Sequence, residues 1–124
     1  MCGISGYFQN KEFKNLPEDK LLKVKNILNH RGPDNFNYFK GKKFIFFHNR
    51  LSIIDLDKRS NQPMASNCGN FIIVFNGEIY NYLELKKLLN ITLKSNSDTE
   101  VLINLIEKFG IKILDKVKGM FSII

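Results

Sequence analysis

The stretch that decides the fold is MCGISGYF, residues 1–8, in which a cysteine directly follows the initiator methionine. Removal of Met1 would leave Cys2 as the first residue, carrying both a nucleophilic thiol and a free α-amine. Such an amine can take the thiol proton near neutral pH, which is the arrangement that N-terminal nucleophiles use for acyl transfer. The alternative is a buried thiol in a first strand, which the glycine-spaced run 3–8 predicts.

The composition is typical of a globular protein, because 124 residues with 44% hydrophobic and 25% charged side chains fit one domain or part of one. The longest apolar runs, 44–47 and 71–75, are too short to cross a bilayer, and the N-terminus lacks the pattern of a secretory signal. Two cysteines, Cys2 and Cys68, do not form a disulfide framework. We therefore expect a cytoplasmic protein without a membrane-bound state.

The net charge of +7 raises the question of nucleic-acid binding. The lysines are spread along the whole chain, whereas a phosphate-binding surface usually gathers them in one stripe. The charge therefore predicts a solvated, lysine-rich surface and no nucleic-acid partner.

Periodicity predicts an α+β protein. Apolar residues at helical spacing predict helices at 16–31, 80–89 and 97–109. Ser97 followed by Glu100 predicts a capping box at the start of the third helix. Short apolar runs predict strands at 3–8, 36–39, 43–48, 51–54, 70–75, 91–93 and 119–124, and the polar segment 57–70 predicts a loop.

The last predicted strand, 119–124, has no turn or polar tail after it. We therefore expect residues 1–124 to form one domain that is truncated at its C-terminal side. An unpaired strand edge there favours aggregation or a homodimer unless a partner covers it.

Several short motifs combine glycine with polar residues along the chain. They are MCGI (1–4), RGPD (31–34), HNRLSIIDL (48–56), QPM (62–64), NGEIYN (76–81), SDTE (97–100) and GMF (119–121). In this order and spacing they resemble the N-terminal glutaminase domain of glutamine-hydrolysing asparagine synthetases, which are class-II glutamine amidotransferases of the N-terminal nucleophile type. The resemblance implies a four-layer αββα sandwich, here missing its later strands.

The resemblance implies hydrolysis of glutamine to glutamate and ammonia, with Cys2 as the catalytic nucleophile. Cleavage of a carboxamide through a thioester also needs hydrogen-bond donors aimed at the developing oxyanion. The side-chain amide of Asn76 and the backbone N–H of Gly77 are the candidate donors. Considered alone, Asn-Gly is the strongest hairpin-turn dipeptide, so a turn after a strand is the alternative.

Free glutamine carries an α-carboxylate and an α-ammonium, so its pocket needs a cation and one or two anions. Arg50 can bind the carboxylate bidentately, and Glu78 and Asp98 can bind the ammonium. The alternatives are a surface ion pair for Arg50, a polar residue after a turn for Glu78, and a favourable charge at a helix N-terminus for Asp98. The resemblance favours Asp98 as a ligand, and it implies that backbone groups of one further segment line the glutamine pocket: Arg50, Leu51, Ser52, Ile53 and Ile54.

RGPD (31–34) is predicted to be architectural, because it ends a helix and places a turn near the nucleophile. Its Pro33 favours the asparagine synthetase branch over amidotransferases that act on sugar phosphates. His30 and His48 are interpreted as helix-end and strand residues, since the α-amine of Cys2 already supplies the base.

The resemblance also implies partners. L-Glutamine is the expected substrate, and a C-terminal synthetase domain, absent from these residues, would amidate aspartate with ATP and Mg²⁺. No cofactor is expected in this segment, and no Cys/His spacing indicates a metal. Two other classes stay open: the glutaminase domain of an amidotransferase that aminates a sugar, nucleotide precursor or polysaccharide, and a fragment without catalytic activity.

Overall fold

Helices and strands are mixed along the chain in the computed structural model, which describes residues 1–14 and 16–124. In chain order the elements are β1 (Gly3–Phe8), α1 (Glu18–Leu28), β2 (Asn35–Lys40), β3 (Phe44–Arg50), β4 (Met64–Ala65), β5 (Ile72–Ile73), β6 (Phe75–Ile79), α2 (Tyr82–Lys86), α3 (Asp98–Phe109) and β7 (Gly119–Ile123). Two 3-10 turns, Lys58–Ser60 and Ile111–Lys116, lie between them. The predicted combination of α and β structure is confirmed. None of the described helices has the length and apolar character needed to cross a membrane.

The strands form three antiparallel sheets among the described residues: β1-β3-β2, β4-β5 and β6-β7. The central strand β3 is buried along almost its whole length, because it is flanked by a strand on each side and α1 packs against it. The register pairs Gly3 with Asn49 and Asn35 with Arg50. The start of β1 therefore lies at the end of β3, which brings Cys2 next to Leu51.

The main core lies between α3 and the strands β4, β5 and β6. Leu102 and Leu105 of α3 are fully buried there, together with Ile79 of β6 and Leu85 of α2. Burial of each such side chain contributes about 1.5–3 kcal/mol relative to exposure. This core fixes the N-terminus of α3 against β6, where polar side chains are buried as well.

Two predicted helices are shorter in the structure. The helix predicted at 16–31 is confirmed only over Glu18–Leu28, because the chain turns where Arg31 N–H bonds back to Leu28 O. The helix predicted at 80–89 is confirmed only over Tyr82–Lys86. Asn81 precedes it and is held by hydrogen bonds of its side chain to Lys116 O and Lys118 N–H.

Several predicted strands are also corrected. Residues 51–54 and 91–93 form no strand, and the strand predicted at 70–75 is instead divided into β5 and β6. Asn76 and Gly77 lie inside β6, so the hairpin-turn interpretation of this dipeptide is wrong. The predicted loop at 57–70 contains β4, which pairs with β5 over two residues.

The capping box at α3 is confirmed only in part. The Ser97 side chain accepts a hydrogen bond from Thr99 N–H, as a capping residue should. The carboxylate of Glu100 accepts instead from Lys94 N–H and from both the N–H and the hydroxyl of Ser95. The helix therefore holds the preceding turn in place through Glu100.

His48 of β3 joins the first sheet to β6. Its Nε2–H donates a hydrogen bond of 3.3 Å to the carbonyl oxygen of Phe75. The side chain is fully buried, and its Nδ1 has no hydrogen-bond partner among the described residues. Burial lowers the pKa of His48 to about 4, the nearby charge of Arg50 adds to this, and the bond to Phe75 opposes it. The imidazole is therefore neutral at physiological pH.

This burial predicts that the protein loses stability in mild acid. Below pH 6.5 the His48 imidazole is protonated in the unfolded protein, whereas in the folded protein it stays neutral down to about pH 4. Since each pH unit is worth about 1.4 kcal/mol, His48 alone lowers the free energy of unfolding by about 3 kcal/mol over this window. Urea denaturation at a series of pH values measures this effect.

The variant His48→Gln removes the titration, so it should flatten the pH dependence between pH 6.5 and about pH 4. His30→Gln, at the exposed second histidine, is the control and should keep the wild-type slope. An unchanged slope in His48→Gln would contradict this account of the buried imidazole.

Candidate active site

A cleft of about 230 Å³ opens where β1 and β3 meet the segment 51–62, β6 and the N-terminus of α3. Eight of the residues predicted for the site line this cleft: Cys2, Arg50, Leu51, Ile53, Ile54, Gly77, Glu78 and Asp98. Ser52 and Asn76 are outside the lining, although each neighbours a residue within it. The sequence motifs at 1–4, 48–56, 76–81 and 97–100 therefore meet in one place.

Cys2 is half-buried at the end of β1, where its thiol contacts the backbone of Leu51. Its Sγ accepts a hydrogen bond of 3.3 Å from Leu51 N–H and donates one of 3.6 Å to Leu51 O. The carbonyl of Cys2 accepts a hydrogen bond of 3.1 Å from Arg31 Nε. Met1 is 61% exposed, so a processing enzyme can reach it.

The RGPD segment packs against the end of β3, close to Cys2. A Cβ at Gly32 would lie 2.1 Å from the carbonyl oxygen of Asn49, so only glycine allows this approach. Asp34 accepts a hydrogen bond of 2.7 Å from Ser52 N–H, and its own N–H donates to Arg50 O. These contacts agree with the predicted architectural role and fix the start of the segment 51–62.

One edge of β6 carries backbone donors that face away from β7. Val74 and Ile124 exchange both of their backbone hydrogen bonds, each at 3.0 Å. Since such pairs alternate along an antiparallel ladder, Gly77 and Phe121 form a pair that is not hydrogen-bonded. The N–H groups of Phe75, Gly77 and Ile79 therefore point to the edge opposite β7.

Two side chains accept hydrogen bonds from the outer donors of this row. Phe75 N–H donates to Gln62 Oε1 at 2.6 Å, and Ile79 N–H donates to Asp98 Oδ2 at 3.0 Å. Gly77 N–H, between them, has no acceptor among the described residues, and Gly77 lines the cleft. The cleft thus contains an unoccupied backbone donor, held in position by a neighbouring bond on each side.

Gly77 is also required by the packing of β6 against β7. A Cβ at this position would lie 2.2 Å from Met120 O and 2.5 Å from Phe121 Cα. The pairing of β6 with β7 therefore requires a glycine here, whatever the role of its N–H in the cleft. Asn76 has a buried Oδ1 with no partner among the described residues, and its role as a second donor stays a prediction.

Arg50 is buried at the end of β3 and holds the segment that follows it. Its Nη1 donates to Asp57 O at 3.0 Å and to Asn61 Oδ1 at 2.7 Å, and its Nη2 donates to Asp55 O. The surface ion-pair interpretation is wrong, because these partners are neutral oxygens and the side chain is only 7% exposed. Within the described part of the chain, the N–H on Nε and one N–H on Nη2 are left for a ligand.

Asp98 is the first residue of α3, and it also lines the cleft. Its carboxylate accepts from Ile79 N–H and, at 2.8 Å, from Thr99 N–H, so it satisfies the helix start as well. Burial raises the pKa of Asp98, and the negative charge of Glu78 adds to this, while the hydrogen bonds from Ile79 and Thr99 oppose it. A buried carboxylate beside a second one is a site that a cation would stabilise.

The cleft therefore has two differently charged walls. The cationic wall is the Arg50 guanidinium, which the segment 51–61 holds in place, and the anionic wall consists of Glu78 and Asp98. A ligand with a carboxylate and an ammonium on one carbon fits such a pair of charges. The thiol of Cys2 and the free N–H of Gly77 line the same cleft.

Three residues that support the site were not predicted from the sequence: Gln62, Asp55 and Asn61. Gln62 accepts a hydrogen bond from Phe75 N–H and donates one to Thr99 Oγ1. Asp55 and Asn61 accept hydrogen bonds from the Arg50 guanidinium. The QPM motif was the available signal for Gln62, and the LSIID run was the signal for Asp55.

Comparisons with known proteins agree on one family. The family model described as a glutamine amidotransferase domain matches residues 1–124. The chain is 37% identical to asparagine synthetase (glutamine-hydrolyzing) 1 of Bacillus subtilis, over 98% of this chain and 20% of that protein. It is 38% identical to asparagine synthetase (glutamine-hydrolyzing) 2 of the same organism, over 99% of this chain and 17% of that protein.

A plant relative gives the same result. Asparagine synthetase (glutamine-hydrolyzing) 1 of Arabidopsis thaliana is 32% identical over 100% of this chain and 21% of that protein. The chain spans about a fifth of the length of these curated relatives.

The geometry of the anionic wall predicts a measurable titration. Because Asp98 is buried, a ¹³C NMR titration of its carboxyl group should give a pKa above the ordinary range for aspartate. The variant Glu78→Gln removes the adjacent charge and should bring this pKa down part of the way, since burial remains. An ordinary pKa for Asp98, or no response to Glu78→Gln, would contradict the described pairing of the two carboxylates.

Proposed function

We propose that this chain, which belongs to the glutamine amidotransferase domain family, hydrolyses L-glutamine to glutamate and ammonia with Cys2 as its nucleophile. The observation that carries the proposal is the unoccupied N–H of Gly77 in the same cleft as the Cys2 thiol. The relatives of this chain are named for glutamine hydrolysis, which supports the choice of substrate.

The proposed reaction begins after removal of Met1, which frees the α-amine of Cys2. The amine takes the thiol proton, and the thiolate attacks the carboxamide carbon of glutamine. The resulting oxyanion collapses to a thioester while the amine returns its proton to the leaving ammonia. Water, activated by the same amine, then hydrolyses the thioester, and glutamate and the thiol are released.

Stabilisation of the oxyanion comes from Gly77 N–H and, in the proposal, from the Asn76 amide. Each such donor is worth about 3–4 kcal/mol in the transition state. The bonds from Phe75 to Gln62 and from Ile79 to Asp98 support this role, because they hold the strand on both sides of Gly77. The donor then needs no rearrangement when the charge develops.

The charged walls bind the two ends of the amino acid in this proposal. The free N–H groups of Arg50 bind the α-carboxylate, and Asp98 and Glu78 bind the α-ammonium. Backbone groups of Leu51, Ser52, Ile53 and Ile54 line the pocket. Since the pKa of Asp98 is raised, glutamine binding weakens as the pH falls through that value and the carboxylate becomes neutral.

We also propose that the layers belong to an αββα sandwich of the N-terminal nucleophile type. The packing of α1 on β3, the contact between β1 and β6, and the packing of α3 on β6 support this arrangement.

The family resemblance extends the proposal to an acceptor. Ammonia would pass to a synthetase domain outside these residues, which amidates aspartate with ATP and Mg²⁺ in the cytoplasm. The relatives are named as asparagine synthetases, which supports this acceptor. The glutaminase segment itself would use no cofactor.

Loss of the thiol should abolish the reaction. The variant Cys2→Ala should lower glutaminase activity by more than about 10³-fold, measured as ammonia release from L-glutamine, because it removes the thiol that lines the cleft and would form the thioester. Cys68→Ala changes the exposed second cysteine and should keep wild-type activity. Substantial ammonia release by Cys2→Ala, or a mature mass that retains Met1 in an active protein, would contradict the mechanism.

The oxyanion role of Asn76 has a distinct kinetic signature. Asn76→Ala should lower kcat by about 10²–10³-fold with KM nearly unchanged, because the lost bond forms only in the transition state. Asn70→Ala, at an exposed asparagine outside the cleft, is the matched control and should behave as wild type. A wild-type kcat in Asn76→Ala would remove Asn76 from the oxyanion site and leave Gly77 as the donor.

A further inference from the structure

We propose that Asp55 is a positioning residue that fixes the separation between the cationic and anionic walls, and thereby selects ligands that carry both charges on one carbon. The inference rests on the proposed function and deepens it. It assigns the discrimination between a zwitterion and a singly charged ligand to a residue that holds the two walls together.

The carboxylate of Asp55 bonds to both sides of the cleft. Its Oδ2 accepts from Asn96 N–H at 2.8 Å and from Ser60 Oγ at 2.7 Å, and its Oδ1 accepts from Asp57 N–H at 2.9 Å. Asn96 lies two residues before Asp98. One carboxylate therefore connects the turn of the cationic wall with the backbone that leads into the anionic wall.

The same residue also contacts the arginine of the cationic wall. The carbonyl oxygen of Asp55 accepts a hydrogen bond from Arg50 Nη2. The other acceptors of this guanidinium, Asp57 O and Asn61 Oδ1, belong to the turn that the Asp55 carboxylate closes through Ser60. A change in the position of Asp55 therefore moves the partners of Arg50.

The bonds of Asp55 are those of an ionised group. Donors from Asp57, Asn96 and Ser60 lower the pKa of this carboxyl, with Asp57 contributing most. Hydrogen bonds to a charged acceptor are stronger than those between neutral groups. Asp55 thus keeps its charge through the neutral range, so its hold on the two walls does not depend on pH there.

A second contact, from Gln62 Nε2 to Thr99 Oγ1 at 3.2 Å, also joins the two segments. The same Gln62 side chain accepts a hydrogen bond from Phe75 N–H, so this contact fixes the edge of β6. It does not reach the partners of Arg50. Asp55 is therefore the described side chain that contacts both the arginine turn and the approach to Asp98.

Asp115 offers a control that carries the same charge away from the cleft. Its side chain is exposed, and it lies in the 3-10 turn Ile111–Lys116 and not in the cleft lining. The variant Asp115→Asn removes one negative charge from the protein without touching either wall.

The test compares hydrolysis of three amides by wild type, Asp55→Asn and Asp115→Asn. L-Glutamine uses both walls, glutaramic acid carries only the carboxylate, and 4-aminobutanamide carries only the ammonium. Asp55→Asn should raise KM for L-glutamine by about tenfold. Its kcat, and its KM values for glutaramic acid and 4-aminobutanamide, should stay within about twofold of wild type. Asp115→Asn should match wild type on all three compounds.

Several results would overturn the inference. One is a wild-type KM for L-glutamine in Asp55→Asn. Another is an equal rise in KM for all three amides, because local damage to one wall or to the fold predicts an equal rise. If Asp55→Asn does not fold, Ser60→Ala decides, since it removes one bond of the same carboxylate. It should raise KM for L-glutamine alone by about threefold, and no rise would overturn the inference.

The outcomes also separate this inference from the proposed function. A processed wild-type protein that releases no ammonia from L-glutamine contradicts both. If the wild type is active and Asp55→Asn keeps the wild-type KM for L-glutamine, only the role of Asp55 is contradicted.

Discussion

The open edge of β6 is the feature on which the site depends. Pairing with β7 leaves three backbone N–H groups pointing the other way, and such groups must find partners when they are buried. Gln62 and Asp98 satisfy the outer two. The N–H of Gly77 stays available only because its neighbours are fixed, so the donor exists as a consequence of strand pairing and two long-range side-chain bonds.

The same contacts link the chemistry to the binding of the substrate. Asp98 bonds to the edge of β6, begins α3 and lines the anionic wall, so one carboxylate serves the fold and the site. Its raised pKa reflects the cost of burying a charge beside Glu78. An ammonium in the cleft would offset that cost, which favours a zwitterionic ligand over a neutral one.

Local sequence signals predicted what depends on local interactions. The third helix, predicted at 97–109, spans Asp98–Phe109 with Ser97 as its N-cap, because its cap and its apolar spacing lie within a few residues. The candidate site residues came from the motifs, and most of them meet in one cleft. The role of Asp55 could not be predicted, because its partner Asn96 lies 41 residues further along the chain. The setting of Gly77 likewise depends on the register with β7, which no local pattern specifies.

Trapping the acyl-transfer geometry tests the central claim most directly. A γ-diazomethyl ketone analogue of L-glutamine alkylates an activated thiol and leaves a carbonyl oxygen where the oxyanion would form. The account predicts a single adduct on Cys2 Sγ, with that oxygen about 3 Å from Gly77 N in a crystal structure of the labelled protein. An adduct on Cys68, or an oxygen directed away from the β6 edge, would contradict it.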